Sequence, residues 1–426
     1  MMMNFDSVFS SNARNMKKSV IRELLKLTAR PEIISFAGGL PAPETFPVQD
    51  LHEAANRVFE KEAKSALQYG TTEGDTGLKE EIIKFESRQG VQLKPENLLV
   101  VSASQQALDM VAKIMLDPGD YVIAGRPTYV GAIQAIQSYS AHVLGIPFTP
   151  ERDGFNMEIL EREYAKAIAR GNKIKYIYVI PDFQNPAGLC WSLEKRKALL
   201  DFAYRKDLLI VEDSPYREIR FLGEHLPSIY QLDQQGENRG IVINLKTFSK
   251  ILSPGVRVGW IMAHETFIAK CVIAKQAMDL CTNVFSQKWL AEYMRTGKLY
   301  ETIKKTCDNY REKRNKMVEC LERYMPKRWD VTWTKPEGGL FLWVSLPHYI
   351  NTDDLILKAV EEEKVAYVVG SAFYYDNPEH NAMRLNFSYS SPETIEEGIK
   401  RLARIITREI ENYESGHRAK TSPEGL

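Results

Sequence analysis

The sequence predicts an α/β fold, in which a large domain with a mostly parallel sheet is joined by a smaller α+β domain. Short apolar runs with little polar alternation recur between about residues 98 and 263, as expected of strands that are buried on both faces of a sheet. Amphipathic stretches between these runs supply the helices that cover such a sheet. After about residue 300 the pattern changes to long helices and a few short strands, which predicts the second domain.

Six apolar runs predict strands of the large domain, at residues 98–101, 121–124, 174–180, 208–211, 241–244 and 258–263. One covering helix is predicted directly after Ser104. Four apolar residues recur there at the i, i+3, i+4 and i+7 spacing of a helix face, namely Leu108, Val111, Ala112 and Met115. The Asp-Pro-Gly sequence at residues 117–119 ends this helix.

The smaller domain begins with a predicted long helix. One of its faces is formed by Leu299, Ile303, Cys307 and Tyr310. Short strands are predicted around residues 341–344 and 365–369, and a last helix opens at Ser391 with Pro392 in its first turn. Residues 414–426 are polar and contain a glycine and a proline, so this tail is expected to fray.

Composition limits the classes of ligand. The 426 residues include 56 Lys and Arg and 56 Asp and Glu, so the formal net charge is zero. Without an excess of cations there is no global field for a polyanion, so nucleic-acid and membrane binding are not expected and the ligands are expected to be small. The cysteines form no CxxC pair and the histidines no HxxxH pattern, which argues against disulfides and a metal site. No apolar run suits a signal peptide or a membrane span, so a soluble, cytoplasmic protein is expected.

The sequence lacks a GxGxxG after a strand, a GxxxxGK[ST] and a GxSxG. It does place polar residues after several predicted strands, where open α/β sheets bind ligands. Lys250 follows two hydroxyl residues, Thr247 and Ser249, and precedes Arg257 by seven positions. A solvated surface lysine is the ordinary alternative. In a cationic, partly desolvated pocket, however, a lysine loses its proton more easily and attacks aldehydes, and the hydroxyls and the arginine suit a phosphate.

The segment around Lys250 resembles the Schiff-base lysine segment of fold-type I pyridoxal-phosphate enzymes, and three further segments carry groups that such a cofactor requires. Ser104 lies where a strand passes into a helix, so its hydroxyl and nearby N–H groups can hold a phosphate, although it can also be a simple helix cap. Asp213 ends a strand and can pair with a protonated pyridine nitrogen, although it can also initiate a loop. Asn185, in an Asn-Pro turn, and Tyr216 can donate to the oxygen of the ring.

Together these segments resemble the fold-type I, class I and II aminotransferases over about residues 19–410. The resemblance implies a seven-stranded sheet, pyridoxal phosphate as cofactor, and pyridoxamine phosphate as its amino-carrying form. Lys250 matches the lysine that forms the Schiff base, Asp213 the partner of the pyridine nitrogen, and Tyr129 the aromatic residue stacked on the ring. Asn185 and Tyr216 match the partners of the ring oxygen. Residues matching ligands of the phosphate are Ser104, Gln105, Ser249 and Arg257, and the hydroxyl of Thr247 is expected to bind the phosphate with them.

The same resemblance implies residues that bind the substrate. Arg384, in the alternating segment 381–387, matches the arginine that binds the α-carboxylate; a surface arginine on an edge strand is the alternative. Gly39 matches a glycine close to that carboxylate, and Asn185 is expected to bind the substrate as well. Tyr69 matches a tyrosine that reaches the cofactor phosphate of a neighbouring subunit, which implies a homodimer.

The N-terminal segments 19–27 and 35–44 are similar to the 2-aminoadipate (LysN-type) and kynurenine/aminoadipate aminotransferases. In that subgroup a short N-terminal helix covers the site, and the arginine matching Arg22 can bind a side-chain carboxylate; a solvated helix residue is the alternative. The resemblance implies transamination between an L-amino acid and a 2-oxo acid such as 2-oxoglutarate. The amino donors expected are glutamate, 2-aminoadipate, and leucine-like or aromatic amino acids.

The resemblance also implies how the chain divides. Both termini are expected to build the small domain. The chain is expected to divide into an N-terminal arm and covering helix (1–48), a large cofactor-binding domain (49–305), a small domain (306–413) and the polar tail (414–426).

Two other functions remain open at this point. The same cofactor scaffold supports lyases and synthases, which release ammonia or eliminate a side-chain group; formation of pyridoxamine phosphate from glutamate separates these from an aminotransferase. Aminotransferase-like domains also act as effector sensors in transcription regulators. Such regulators carry a winged-helix domain ahead of the cofactor domain, and about fifteen residues precede Met16 here, so DNA binding is not expected.

Overall fold

The computed structural model describes residues 7–15, 30–149 and 151–421. The strands, in chain order, are β1 (Ile34–Ser35), β2 (Leu98–Val101), β3 (Tyr121–Arg126), β4 (His142–Pro147), β5 (Ile174–Val179), β6 (Leu209–Asp213), β7 (Val242–Thr247), β8 (Gly259–Met262), β9 (Thr332–Trp333), β10 (Phe341–Ser345), β11 (Val365–Ala366), β12 (Val368–Val369) and β13 (Ala382–Asn386).

The α-helices are α1 (Ser11–Asn15), α2 (Val48–Ala66), α3 (Thr76–Ser87), α4 (Ala103–Met115), α5 (Val130–Gln137), α6 (Met157–Ala169), α7 (Leu193–Lys206), α8 (Ile229–Gln235), α9 (Phe248–Ile251), α10 (Glu265–Met278), α11 (Val284–Arg295), α12 (Leu299–Tyr324), α13 (Thr352–Glu361) and α14 (Pro392–Thr421). None of them is long and apolar enough to cross a membrane within the described ranges.

The central element is a seven-stranded sheet with the order β2-β8-β7-β6-β5-β3-β4. β8 runs antiparallel to both of its neighbours, and the other pairs are parallel. This confirms the predicted α/β fold with a mostly parallel sheet. Every residue of β2 and of β7 is buried, because helices cover both faces of a sheet of this kind.

One strand of this sheet, β4, has no counterpart among the six predicted from apolar runs. It lies at the edge of the sheet and pairs only with β3 among the described strands. Four of its six residues are half-buried, so it needs no continuous apolar run. The signal used for the central strands is therefore weak at this edge.

The C-terminal half forms an antiparallel sheet with the order β12-β13-β10-β9. β1, near the N-terminus, pairs in parallel with β11, with Ile34 opposite Val365. The segment predicted as one strand at 365–369 is divided into β11 and β12. α12 is continuous across the boundary expected at residue 305 and so belongs to both sides of it.

The expected fraying at residue 414 differs from the structure, in which α14 continues to Thr421. The segment around residue 414 is rich in glutamate and arginine, which are good helix formers, and the single Gly416 costs only about 1 kcal/mol in a helix. Polarity alone therefore did not indicate where this helix ends.

Candidate active site

A cavity of about 680 Å³ lies at the carboxyl ends of the parallel strands. Ser104 follows β2, Tyr129 follows β3, Asn185 follows β5, and Lys250 follows β7, while Asp213 is the last residue of β6. Parallel strands bring their carboxyl ends to one edge of the sheet, where open α/β folds bind ligands. A volume of this size holds a small-molecule ligand of cofactor dimensions.

The structure brings most of the predicted site residues into this one cavity. Those that line it are Gly39, Ser104, Gln105, Tyr129, Asn185, Asp213, Tyr216, Thr247, Ser249, Lys250, Arg257 and Arg384. Tyr69 does not line it and is 78% exposed. Arg22 lies outside the residues that the structure describes.

Lys250 is held in a one-turn helix, α9, at the end of β7. The helix is capped by Thr247, whose Oγ1 accepts a hydrogen bond from the N–H of Ser249 at 3.1 Å. The Lys250 Nζ donates to the carbonyl oxygen of Gly39 at 2.9 Å. Desolvation in the cavity lowers the pKa of Lys250 to about 8, and the cations of Arg384 and Arg257 act in the same direction. Near neutral pH a fraction of this amine is therefore uncharged and nucleophilic.

One end of the cavity is suited to a phosphate. Its polar groups are the hydroxyls of Ser104 and Ser249, the Arg257 guanidinium and the N-terminus of α4. Ala103 and Arg257 both line this end with left-handed φ angles, +66° and +50°. Such angles are costly for residues other than glycine and concentrate at ligand sites. Gly259 allows the close approach, because a Cβ there would lie 3.1 Å from the Ala103 backbone.

Gln105 contacts the cavity in a way that the sequence did not predict. Its side-chain Oε1 accepts a hydrogen bond from the Tyr129 hydroxyl at 3.2 Å, and its Nε2 donates to the carbonyl oxygen of Gly131 at 3.1 Å. The side chain therefore connects the first turn of α4 with the ring of Tyr129. Because the side chain is engaged in these contacts, the group of Gln105 that can bind an anion is its backbone N–H, which lies in the first turn of the helix.

Asp213 is a buried carboxylate with one paired oxygen. Its Oδ2 accepts a hydrogen bond from the Tyr178 hydroxyl at 2.8 Å, whereas Oδ1 is buried with no hydrogen-bond partner among the residues described. Burial raises the pKa of Asp213 to about 7, and the hydrogen bond from Tyr178 opposes that rise. An unpaired buried oxygen of this kind suits a ligand that carries a positively charged N–H.

Asn185, Tyr216 and Arg384 form a hydrogen-bonded chain along another wall. The Nδ2 of Asn185 donates to the Tyr216 hydroxyl at 3.4 Å, and Nη1 of Arg384 donates to Asn185 Oδ1 at 2.9 Å. Nη2 of Arg384 donates to the carbonyl oxygen of Ala37 at 2.7 Å. The guanidinium lies 4.1 Å from the ring centroid of Phe341, and burial lowers the pKa of Arg384 to about 10.

A buried ion-pair network holds the loops that carry Asn185 and Tyr216. Asp182, three residues before Asn185, accepts hydrogen bonds from Arg196 at 2.7 Å and from Arg217 at 3.1 Å. Burial opposes ionisation, yet the two arginines hold the pKa of Asp182 well below its usual range. Because Arg217 follows Tyr216 directly, the network fixes the two loops relative to each other.

Three residues of this site were not predicted from the sequence. Tyr178 and Asp182 lie within or just after an apolar run, where a polar group among apolar neighbours is the available signal. Phe341 lies at the start of β10 and lines the cavity against Arg384. Nothing in its local sequence distinguishes it from any other strand phenylalanine.

These groups fit a pyridoxal phosphate. The phosphate end has hydroxyls, a helix N-terminus and Arg257, while Asp213 has an unpaired oxygen for the ring nitrogen. Lys250 presents an amine with a lowered pKa for the aldehyde. No group of three or more His, Cys, Asp or Glu side chains in the described part of the chain is placed to hold a metal ion.

Comparisons with known proteins identify the family. Residues 31–402 match the family model "Aminotransferase class I and II". The chain is 45% identical to aromatic-amino-acid aminotransferase 1 of Thermococcus litoralis, over 96% of each chain. A solved structure of a multiple substrate aminotransferase from Thermococcus profundus has a TM-score of 0.90 at 45% identity, covering 96% of this chain and 100% of that one.

A second solved structure bears on the cofactor. LysN, the α-aminoadipate aminotransferase of Thermus thermophilus, was solved in complex with N-(5′-phosphopyridoxyl)-L-leucine; it is 37% identical, with a TM-score of 0.86, over 95% of this chain and 99% of that one. The predicted family, enzyme class and cofactor are thereby confirmed. The chain is a pyridoxal-phosphate-dependent enzyme and belongs to the class I and II aminotransferases.

Proposed function

We propose that this aminotransferase transfers the amino group of glutamate, 2-aminoadipate, or leucine-like and aromatic amino acids to a 2-oxo acid such as 2-oxoglutarate. The observation that carries the proposal is the buried Arg384, which lines the same cavity as Lys250. The names of the relatives add support, since they include an aromatic-amino-acid and a multiple substrate aminotransferase and a LysN bound to a leucine adduct.

The residues around the cavity divide by the part of the cofactor that each would hold. Asp213 would pair with the ring nitrogen, Asn185 and Tyr216 would donate to the ring oxygen, and Tyr129 would cover a ring face. The groups for the phosphate are the hydroxyls of Ser104, Thr247 and Ser249, the backbone N–H of Gln105, and Arg257. When bound, pyridoxal phosphate supplies an aldehyde that bonds to amines and a ring that withdraws electrons from the substrate Cα.

Lys250 would act as both the covalent anchor and the proton carrier. Because the pKa of this amine is lowered to about 8, it can accept the proton of the substrate Cα and return it without a large energetic penalty. Its position next to Gly39 and in the same cavity as Arg384 puts this amine beside the proposed binding site of the α-carboxylate.

Arg384 would fix the α-carboxylate of the substrate. Two of its nitrogens donate to Asn185 and Ala37, and its Nε is buried with no hydrogen-bond partner among the described residues. A guanidinium presents a planar fork that matches a carboxylate, which a lysine cannot reproduce. Gly39 would leave room for the substrate, because a Cβ there would lie 3.3 Å from the ring of Phe341.

The Arg384→Lys variant is expected to raise KM for amino donors about tenfold to a hundredfold, since a hydrogen bond to a charged group contributes about 1.5–3 kcal/mol. The visible absorption band of the bound cofactor is expected to be retained, because Lys250 and the groups assigned to the phosphate and to the ring nitrogen are unchanged. Steady-state kinetics with 2-oxoglutarate as acceptor measures the first effect, and a spectrum of the purified variant measures the second. An unchanged KM would contradict the role of Arg384.

We also propose that the active enzyme is a homodimer in which Tyr69 reaches the phosphate of the neighbouring site. Tyr69 is 78% exposed, and Leu67 and Phe59, nearby in the chain, are also exposed. Large exposed apolar side chains that occur together favour a protein partner over solvent. Sedimentation of the holoenzyme measures the oligomeric state.

The substrate range is tested with a panel of amino donors and an Arg22→Ala variant. We expect wild-type enzyme to use glutamate, 2-aminoadipate and leucine, and Arg22→Ala to lose about tenfold in kcat/KM for the acidic donors, because one charge-assisted hydrogen bond is lost. Leucine, which has no side-chain carboxylate, is expected to be used unchanged. The matched control is Arg14→Ala, at an exposed arginine of the N-terminal arm. If kcat/KM for glutamate and for leucine is the same in Arg22→Ala as in the wild type, the proposed role of Arg22 is wrong.

A further inference from the structure

Tyr178 and Asp213 lie on neighbouring parallel strands with a register that makes them meet. Tyr178 of β5 is opposite Val211 of β6, and Asp213 is two residues further along β6. Residues two apart on a strand point to the same face, about 6.6 Å apart along the strand. The long side chain of Tyr178 covers that offset, and its hydroxyl donates to Asp213 Oδ2 at 2.8 Å.

The rest of the Tyr178 side chain is in apolar surroundings. Tyr178 is 1% exposed, and it lines a small gap together with Leu108, Val111, Ala132, Ala135, Ile136, Tyr176 and Val211. A hydroxyl buried in such a layer is costly unless it is hydrogen-bonded. The contact with Asp213 is thus the bond that satisfies it, and the packed ring cannot turn away easily.

The two oxygens of Asp213 are consequently unequal. Oδ2 is occupied by Tyr178, and Oδ1 has no hydrogen-bond partner in the described part of the chain. We propose that Tyr178 is the positioning residue of Asp213: its hydroxyl holds Oδ2 and so keeps the carboxylate ionised and oriented with Oδ1 free for the ring nitrogen of the cofactor. This inference rests on the proposed role of Asp213.

The charges around Asp213 agree with this geometry. Burial raises the pKa of Asp213 to about 7, and the Tyr178 hydrogen bond is the contact that lowers it. The other titratable and charged groups that line the same cavity are Tyr129, Tyr216, Lys250, Arg257 and Arg384. A hydrogen bond donated to the charged form favours that form, so removal of the Tyr178 hydroxyl shifts Asp213 toward its protonated state.

The first test is Tyr178→Phe, which removes one oxygen and keeps the ring. We expect the affinity of the cofactor-free protein for pyridoxal phosphate to fall about tenfold to a hundredfold near pH 7, as for loss of a hydrogen bond to a charged group. Because only ionised Asp213 attracts a protonated ring, affinity falls as the pH drops through its pKa. In Tyr178→Phe the pH at the midpoint of this fall in affinity is expected to move upward by about one to two pH units.

The matched control is Tyr176→Phe. Tyr176 lies two residues earlier on the same face of β5, is 3% exposed and lines the same apolar gap, but its hydroxyl is not bonded to Asp213. We expect this variant to bind pyridoxal phosphate with wild-type affinity and an unchanged pH midpoint. If both variants weaken binding equally, or if Tyr178→Phe retains wild-type affinity and midpoint, the positioning role of Tyr178 is refuted.

A double-mutant cycle with Asp213→Asn separates this inference from the proposed function on which it rests. If Tyr178 acts through the carboxylate, its replacement changes affinity and the visible spectrum of the bound cofactor when Asp213 is present, and has little further effect in the Asp213→Asn variant. An Asp213→Asn variant with wild-type affinity and spectrum would overturn the role of Asp213 itself. If Asp213→Asn changes the affinity and the spectrum but Tyr178→Phe changes neither, only the inference about Tyr178 is overturned.

A second variant keeps the test decisive if Tyr178→Phe fails to fold. 3-Fluorotyrosine at position 178 retains the hydroxyl and makes it a stronger donor. It is expected to move the pH midpoint of cofactor binding downward, opposite to the shift expected for Tyr178→Phe. An upward shift or no shift would contradict the proposal.

Discussion

Replacing Lys250 with Ala is expected to reduce transamination by about ten thousandfold or more, because this side chain is proposed to be both the covalent anchor and the acid–base group. The visible absorption that depends on a bond between the lysine and the cofactor is expected to disappear. Other contacts with the cofactor involve different residues, so the variant should still bind pyridoxal phosphate. Kinetics and an absorption spectrum of the reconstituted protein measure these effects.

The control for charge is Lys250→Arg, which keeps a cation in the cavity but is never deprotonated in a protein. It is expected to be as inactive as Lys250→Ala, since neither can attack an aldehyde or accept a proton. A Lys250→Ala variant that retained both the absorption band and the activity would refute the assignment.

The lowered pKa of Lys250 adds a pH dependence to this prediction. An amine reacts as a nucleophile when it is neutral, so reaction increases as the pH rises through its pKa. In the cofactor-free protein the pKa of Lys250 is lowered to about 8 by desolvation and by nearby cations. The yield of an added aldehyde trapped on Lys250 by borohydride is thus expected to rise with a midpoint near pH 8. The midpoint for an ordinary lysine lies near pH 10.4.

The cavity residues that the sequence predicted share a simple signal. Lys250, Asp213 and Asn185 each follow an apolar run that reads as a buried strand, and parallel strands bring such positions together at one edge. The family resemblance then assigned a role to each residue. Position after a strand is a local property, so it can be found without knowing which strands are neighbours.

The residues that were missed depend on which strands are neighbours. Tyr178 reaches Asp213 only because β5 pairs with β6 in the register that places Tyr178 opposite Val211. Phe341 reaches Arg384 because β10 pairs with β13. Strand order and register follow from packing of the whole sheet rather than from any one segment.

Replacing Asp213 with Asn is expected to lower kcat/KM about a hundredfold to a thousandfold, as for removal of one preorganised electrostatic partner in other active sites. The shape of the side chain is kept, and the Tyr178 hydroxyl retains an oxygen to bond. What is lost is the negative charge that is proposed to pair with the ring nitrogen. Steady-state kinetics and the rate of the half-reaction with glutamate measure this loss.

The same variant is expected to stabilise the cofactor-free protein above about pH 7. The pKa of Asp213 is raised to about 7 in the folded state, whereas an unfolded aspartate titrates near 3.9. The stability that the protonated carboxyl contributes is therefore fully present below about pH 4 and is lost as the pH rises through about 7. Above about pH 7 the buried charge of Asp213 costs the folded protein on the order of 4 kcal/mol at most, from the difference of about three pKa units. Asp213→Asn removes this cost.

Asp182→Asn provides the contrasting control, because the surroundings of that buried carboxylate are opposite. Asp182 is bonded to Arg196 and Arg217, which hold its pKa well below the usual range. Its replacement leaves two buried guanidinium groups without their anion and is expected to destabilise the protein by about 3–5 kcal/mol at neutral pH. Thermal unfolding of both cofactor-free variants between pH 5 and 8 measures the two effects. If Asp213→Asn matched wild-type stability across that range, the buried charge of Asp213 would not be the destabilising charge that we propose the cofactor balances.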